Sequence, residues 1–358
     1  MKEFTSRLEK IESVLRQNLP EKAGKNWTLR SFGQIDAHIR ESHFKNLLEP
    51  CERLVSLGGK RWRPLLAVLC AELAAHAKTR DPALAAERVE CAYKLAPLIE
   101  FAHTASLIHD DIEDSTDERR GKPAAHIAYG IDVALNAASW LYFQATTCIH
   151  TLPLGDKEKT GLYELFLLEM RRLHLGQALD IAWHREPSHI PTVEEYRAMV
   201  KNKTGTLVRL AAKIGILAGG GTAEEVERCG AIAEEIGVGF QELDDVTNLT
   251  TGNPGKRRGD DIVEGKKSLP VIMHVRRHPE DIGTIVRLFE RARAEGIGSP
   301  AIEETISLLE RSEAIFEAKT RGGMIVLKNS NRLAEFYGAS GSESEHLLKL
   351  LFKKMMRG

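Results

Sequence analysis

Cysteine is sparse and unpatterned in this chain: Cys51, Cys70, Cys91, Cys148 and Cys229 lie scattered, with no CxxC spacing. An odd, dispersed set argues for free thiols in a reducing compartment, here the cytoplasm. Net charge is missing too, with 50 basic residues against 51 acidic ones. That balance argues against a nucleic-acid binder held by bulk positive charge, while leaving local patches open. No uninterrupted apolar run approaches bilayer length, so no transmembrane segment is expected. The opening stretch, MKEFTSRLEKIESVLRQNL, lacks the apolar core of a signal peptide, and its three glutamates speak against a transit peptide. Internal repeats, low-complexity tracts and obvious linkers are absent. Strand-like alternation is nearly so; GGMIVLKN (322–329) is the only tempting stretch.

What is present is a globular composition, 42% hydrophobic and 28% charged over 358 residues, enough for one large domain or two ordinary ones. The apolar pattern is helical nearly throughout. Phe4, Leu8, Ile11 and Leu15 recur at helix spacing, so residues 1–40 read as a helical N-terminal extension. Its polar face mixes both signs, which favours docking on the core or a partner subunit over a membrane. Asp81-Pro82 is a good helix start, and the periodic stretch after it runs through Ala92, Leu95, Ile99 and Ala102 to about Asp114. Residues 131–150, 159–182, 194–218, 223–247, 279–294, 300–318 and the tail after Ser342 read the same way. Breaks fall at LGGKRWRP, RRGKP, HREPSHIP, AGGGT and TTGNPGKRRGDD. The reading is all-α, with residues 1–358 a single domain built as one large helical bundle.

Residues 109–123, HDDIEDSTDERRGKP, crowd six carboxylates into nine positions: Asp110, Asp111, Glu113, Asp114, Asp117 and Glu118. Asp110 and Asp114 are four apart, on one helix face and one turn from each other. Unpaired they repel; a hard divalent cation between them reverses the sign. Magnesium fits, because it takes oxygen ligands, keeps several waters, and usually uses one or two carboxylates plus substrate phosphates. A second acidic pair, Asp244 and Asp245, sits in FQELDDVTN with Asn248 at the four-residue position. Either cluster alone reads as a solvated helix end. Two on largely apolar helices point to two facing walls of a central cavity that holds several metal ions.

Cations accompany them. LGGKRWRP supplies Lys60, Arg61 and Arg63; Arg119 and Arg120 follow the first acidic cluster. KNKTG supplies Lys201, Lys203 and Thr204, GKRRGDD supplies Lys256, Arg257 and Arg258, and EGKKS supplies Lys266 and Lys267. Arginine forks and lysine point charges beside glycine-exposed amides are what phosphate oxygens require. Singly, each patch is an ordinary surface turn. Jointly they are explained by a diphosphate bridged to protein through magnesium. GDDIVEGKKS is not a Walker A loop: five residues separate its glycines, and Lys267 takes the Ser/Thr position.

These segments (GGKRWRP, HTASLIHDDIEDSTDERRGKPAAH, GQALD, KTG, FQELDD and GKRRGDDIVEGKKSLP) fall in the order found in trans-isoprenyl diphosphate synthases, the polyprenyl synthetase family. The resemblance spans roughly residues 55–275 and continues weakly to the end. IEDSTDERRG, YGIDVALNAASWLYF and Asn248 in place of a third aspartate resemble the geranylgeranyl diphosphate synthase branch.

The resemblance implies an isoprenoid-synthase helical bundle that condenses isopentenyl diphosphate head-to-tail with a C5–C15 allylic diphosphate. The implied product is C20 or somewhat longer. It implies Mg²⁺, three ions per active site, held by Asp110 and Asp114 on one wall and Asp244 on the other, with Asp111 and Asp245 in support. Lys60, Arg63, His103 and Arg120 match positions that hold isopentenyl diphosphate. Arg119, Lys203, Thr204, Gln241, Lys256 and Lys266 match those that hold the allylic substrate. A homodimer is implied as well. Chain length would be set by a floor below the metals. Ala105 and Ser106 are small there, leaving Ile99, Ala102, Trp140 or Tyr142 to close it.

Other readings compete. A farnesyl diphosphate synthase differs only in product length. A class I terpene cyclase shares metal-assisted ionisation but needs no second diphosphate site, which Lys60, Arg63 and Arg120 would serve. A di-iron carboxylate protein uses ExxH pairs, present at Glu100–His103, Glu186–His189 and Glu343–His346, though Pro187 interrupts the second. A non-catalytic subunit would typically have lost one acidic cluster, and both are present.

Overall fold

A computed structural model describes residues 2–252, 257–339 and 341–356, and most of them are helical. The chain divides into two units. One comprises Met1–Met170, Leu210–Gly230 and Ala334–Leu351; the other comprises Arg171–Arg209, Ala231–Leu333 and Phe352–Gly358.

The first unit begins with α1 (Thr5–Asn18), α2 (Lys25–Phe32), α3 (Lys45–Ser56), α4 (Trp62–Lys78), α5 (Pro82–Lys94) and α6 (Ala96–Glu113). A hairpin of two-residue strands, β1 (Glu118–Arg119) and β2 (Lys122–Pro123), is the only sheet among the described residues. It leads to α7 (Ala125–Tyr129), α8 (Ile131–Ala145) and α9 (Thr147–His150). The long α10 (Asp156–Arg185) is followed by α11 (Val193–Val200), a π-helical turn Lys201–Gly205, α12 (Thr206–Ala218) and α13 (Ala223–Thr250). Then come α14 (Asp260–Glu264), α15 (Leu269–Arg277), α16 (Ile282–Glu295), α17 (Pro300–Arg311), α18 (Ala314–Ala334) and α19 (Glu343–Met355).

Local chemistry explains the departures from the sequence pattern. Asp81 caps α5, its Oδ1 accepting from the Ala83 N–H at 2.9 Å. The periodic run from Asp81 to Asp114 is two helices rather than one. Pro97 lacks the N–H that a continuous helix would need, and the chain restarts at Ala96 with that proline in the first turn. GGMIVLKN lies wholly inside α18, since four β-compatible residues cannot outweigh the helical pattern around them.

In the first unit α6 packs on α8, and both bury small residues: Ala102 and Ala105 on one, Ala134, Ala137 and Ala138 on the other. The apolar stripe of α1 docks on α4, α5 and α6, with Phe4, Ile11 and Leu15 fully buried. The second unit has its own core, including Tyr196, Val200, Val238, Leu249, Leu269, Ile272, Ile285 and Leu309. Among the described residues no helix is long and apolar enough to cross a membrane.

Candidate active site

The first acidic cluster closes α6. Asp110 lies in its last turn and Asp114 is its C-cap, with no basic residue in that turn. The C-terminal end of a helix carries partial negative charge, so carboxylates there are disfavoured unless a cation joins them. The two aspartates of the DD pair differ. Asp110 is partly exposed, whereas Asp111 is 1% exposed and accepts from the Arg119 Nε–H at 2.8 Å. Arg119 also stands 3.8 Å from Asp110.

The hairpin places the arginines. Its tip, Arg120-Gly121, has positive φ at both residues (54° and 71°), the geometry of a type I′ turn. β1 thereby returns Arg119 to the end of α6. Arg120 Nη1 donates to the Leu54 carbonyl at 2.9 Å and to that of Gly58. A Cβ on Gly59 would stand 3.1 Å from Arg120 Nη2, so this backbone passes close to the guanidinium.

Arg63 and His103 also meet here. Arg63 Nη1 lies 3.2 Å from His103 Nε2, and Glu100 Oε1 lies 3.7 Å from His103 Nδ1. Burial first, and Arg63 next, push the imidazole down to about 4. Burial works against ionisation of Glu100, yet His103, Arg61 and Arg63 bring it down to about 2. Lys60 is exposed on the same turn. Arg61 belongs to the same motif but faces inward, 4% exposed, in the left-handed region with φ of 46°.

The candidate floor residues sort by exposure. Ile99, Ala102 and Ala105 are wholly buried, while His103, Ser106 and Asp110 form a partly open row on α6. The Trp140 ring stacks on Phe32 at 6.2 Å and meets Trp27 edge-on, so α2 covers it. Tyr142 stacks on His109 at 5.7 Å, next to Asp110 in sequence.

The second unit repeats the pattern of the DD pair. Asp244 on α13 is exposed; Asp245 is 5% exposed and pinned by three donors. These are Tyr196 OH at 2.7 Å, the Leu269 N–H at 2.9 Å and Gln241 Nε2 at 2.9 Å. Burial, helped by Asp261, pushes Asp245 up to about 7 against those donors. Thr204 Oγ1 donates to Gln241 Oε1 at 2.7 Å, which completes a chain from Thr204 through Gln241 to Asp245. Asn248 accepts from the Asp261 N–H at 3.3 Å.

Lys203 and Thr204 sit in the π-helical turn. Such turns put an extra residue into one helical turn and re-aim side chains, often at functional sites. Lys203 donates to Asp180 Oδ2 at 2.5 Å. Burial opposes ionisation of Asp180, but Lys203 and then His184 hold it far below the usual range. Gly176 explains the close fit, because a Cβ there would lie 2.2 Å from the Lys203 nitrogen. Lys266 pairs with Glu264 at 2.6 Å and Asp261 at 3.9 Å. Lys267 instead turns inward over Phe289. Lys256 lies outside the described residues.

Asp180 is the residue that sequence reasoning left without a role; its only signal was membership of GQALD. Arg61, grouped with the phosphate-binding cations, is buried against Glu12 and Glu100 instead. Lys201, grouped with the phosphate-binding cations, pairs with Glu235 at 2.7 Å.

The donor set suits magnesium: hard carboxylate oxygens at a helix end that lacks a balancing cation of its own. Among the described residues no three His, Cys, Asp or Glu side chains form a metal-holding group. Glu100 and His103, one of the ExxH pairs, adjoin arginines rather than further carboxylates, and Glu343 pairs with Arg7 at 3.4 Å.

Residues 44–301 match the family model for polyprenyl synthetase. The chain is 43% identical over 188 residues to a geranylgeranyl pyrophosphate synthase of Gibberella zeae, covering 52% of this chain and 48% of that protein. A geranylgeranyl pyrophosphate synthase of Penicillium canescens is 40% identical over 190 residues, covering 52% and 54%. The chain thus spans about half the length of these relatives. A geranylgeranyl pyrophosphate synthetase structure from Pyrococcus horikoshii superposes with a TM-score of 0.79 at 26% identity, covering 100% of this chain and 98% of that one. A decaprenyl diphosphate synthase from Rhodobacter capsulatus, at 19% identity and TM-score 0.76, shares the fold, covering 99% and 96%.

Proposed function

Because the chain belongs to the polyprenyl synthetase family, we propose that it condenses isopentenyl diphosphate with an allylic diphosphate to give a longer trans-prenyl diphosphate, of C20 length. The observation that carries this is the repeated design of the two DD pairs. In each, the first aspartate is open and the second is buried and pinned by neighbours. A solvated helix end would need neither pinning nor the cations beside it.

Asp110 and Asp114 at the end of α6, and Asp244 on α13, would hold magnesium. When bound, magnesium neutralises the charge that builds on the departing pyrophosphate. Arg119, Lys203 and Lys266 add hydrogen bonds to its oxygens, exchanging their present carboxylate partners for phosphate. The Gln241 and Thr204 oxygens face the carbocation-like carbon with the negative ends of their dipoles. Lys60, Arg63, His103 and Arg120 bind isopentenyl diphosphate, whose double bond attacks that carbon. Released pyrophosphate takes the final proton.

Product length is set where Ser106 lines α6, with Ile99, Ala102, Trp140 or Tyr142 closing the floor. The homodimer would pair two copies through exposed apolar residues such as Ile127 on α7 and Ile131, Leu135 and Phe143 on α8. The five cysteines are all free, which accords with the cytoplasm.

The test is incubation with Mg²⁺, isopentenyl diphosphate and C5, C10 or C15 primers, with mass spectrometry of the products. A C20 product is expected. Cyclised product formed without isopentenyl diphosphate would establish a terpene cyclase instead.

A further inference from the structure

The N-terminal helix reaches the residues assigned to isopentenyl diphosphate through a single buried arginine. Arg61 Nε donates to Glu12 Oε1 on α1 at 2.6 Å. Its Nη1 donates to Glu100 Oε1 on α6 at 2.7 Å, and its Nη2 to the Val55 carbonyl at the end of α3. One planar fork therefore ties three helices together at a residue whose backbone is left-handed. A non-glycine residue persists there only when its surroundings hold it.

That hold bears on the neighbours. Lys60 adjoins Arg61 and Arg63 follows two residues on, so the backbone at Arg61 sets the direction from which both leave the turn. Glu100 touches Arg61 and approaches His103, which meets Arg63. Glu12 lies outside the motifs quoted above, 49 residues from Arg61. Its helix is anchored independently by Phe4, Ile11 and Leu15. The carboxylate is thus not needed to bury the helix. Its function is to fix the arginine.

We infer that Glu12 is a positioning residue for isopentenyl diphosphate: through Arg61 it fixes the turn that presents Lys60 and Arg63. The inference rests on the proposed prenyl-transfer reading, and it makes α1 a working part of the substrate subsite.

The experiment is titration calorimetry of the full chain with isopentenyl diphosphate alone, where no turnover occurs, alongside steady-state kinetics. The proteins are wild type, Glu12→Gln, Glu12→Asp and the exposed control Glu9→Gln. For Glu12→Gln, affinity and KM for isopentenyl diphosphate should weaken about tenfold, while kcat and the allylic KM stay within about twofold. Glu12→Asp keeps the charge and should recover most of the loss even if Glu12→Gln folds poorly; Glu9→Gln should match wild type. Wild-type affinity in Glu12→Gln, or equal weakening toward both substrates, would overturn the inference. Absence of isopentenyl diphosphate binding by wild type would instead overturn the functional reading beneath it.

Discussion

Arg63 Nη1 stands 3.2 Å from His103 Nε2, and because a guanidinium only donates, the imidazole accepts there and carries its proton on Nδ1. That nitrogen faces Glu100 at 3.7 Å. The histidine is therefore neutral in the fold, consistent with burial and Arg63 pushing it down to about 4.

The sign of the resulting pH dependence follows. A histidine with a depressed pKa contributes stability that is fully present above its ordinary value of 6.5 and lost as pH falls toward about 4. Glu100, at about 2, contributes in a lower window, so His103 dominates between these limits. Urea unfolding of wild type and His103→Gln from pH 7 to pH 4.5 should show wild type losing about 2 kcal/mol more than the variant. Parallel curves would contradict a neutral His103.

Metal removal should separate repulsion from function. In EDTA, Asp114→Asn should be about 0.5 kcal/mol more stable than wild type, since it removes negative charge from the C-terminal end of α6. With saturating Mg²⁺ and inorganic pyrophosphate, wild type should gain about 2.7 kcal/mol at a hundredfold excess over Kd. Asp110→Asn and Asp244→Asn should lose most of that gain and about 10²–10³ in kcat. Thermal melts and initial rates measure both.

The two small residues before Asp110 should behave differently toward phenylalanine. Ser106 lies on the partly open row of α6, so Ser106→Phe should fold and shorten the product, as mass spectrometry would show. Ala105 is wholly buried, and Ala105→Phe should cost about 1–3 kcal/mol by overpacking. A normal C20 product from Ser106→Phe would remove the open row as the length determinant.

Gly176→Ala places a Cβ 2.2 Å from the Lys203 nitrogen, where backbone rather than a flexible side chain must yield. The cost should be about 3 kcal/mol, with allylic KM rising as the π-helical turn shifts. Asp180→Asn should raise the same KM about tenfold with little change in KM for isopentenyl diphosphate, because the ion pairs it breaks are those with Lys203 and His184. Kinetics against each substrate separately would decide.

Much of the candidate site was legible because its signals are local. The i, i+4 spacing of Asp110 and Asp114, the DD pairs and the helical period all depend on residues within a turn or two of each other. The break before Pro97 is equally local, but the apolar period continues across it and masks it.

Roles within a motif were not legible. Arg61 and Arg63 stand two residues apart, yet one is buried against Glu12 and Glu100 while the other meets His103. Lys266 and Lys267 adjoin, yet one pairs with Glu264 and the other turns over Phe289. The sequence by itself determined the helical class, the acidic pairs and the supply of cations, since residue type and short spacing carry them. Only the tertiary structure decided which charge faces outward, because burial and ion pairing join helices far apart in the chain.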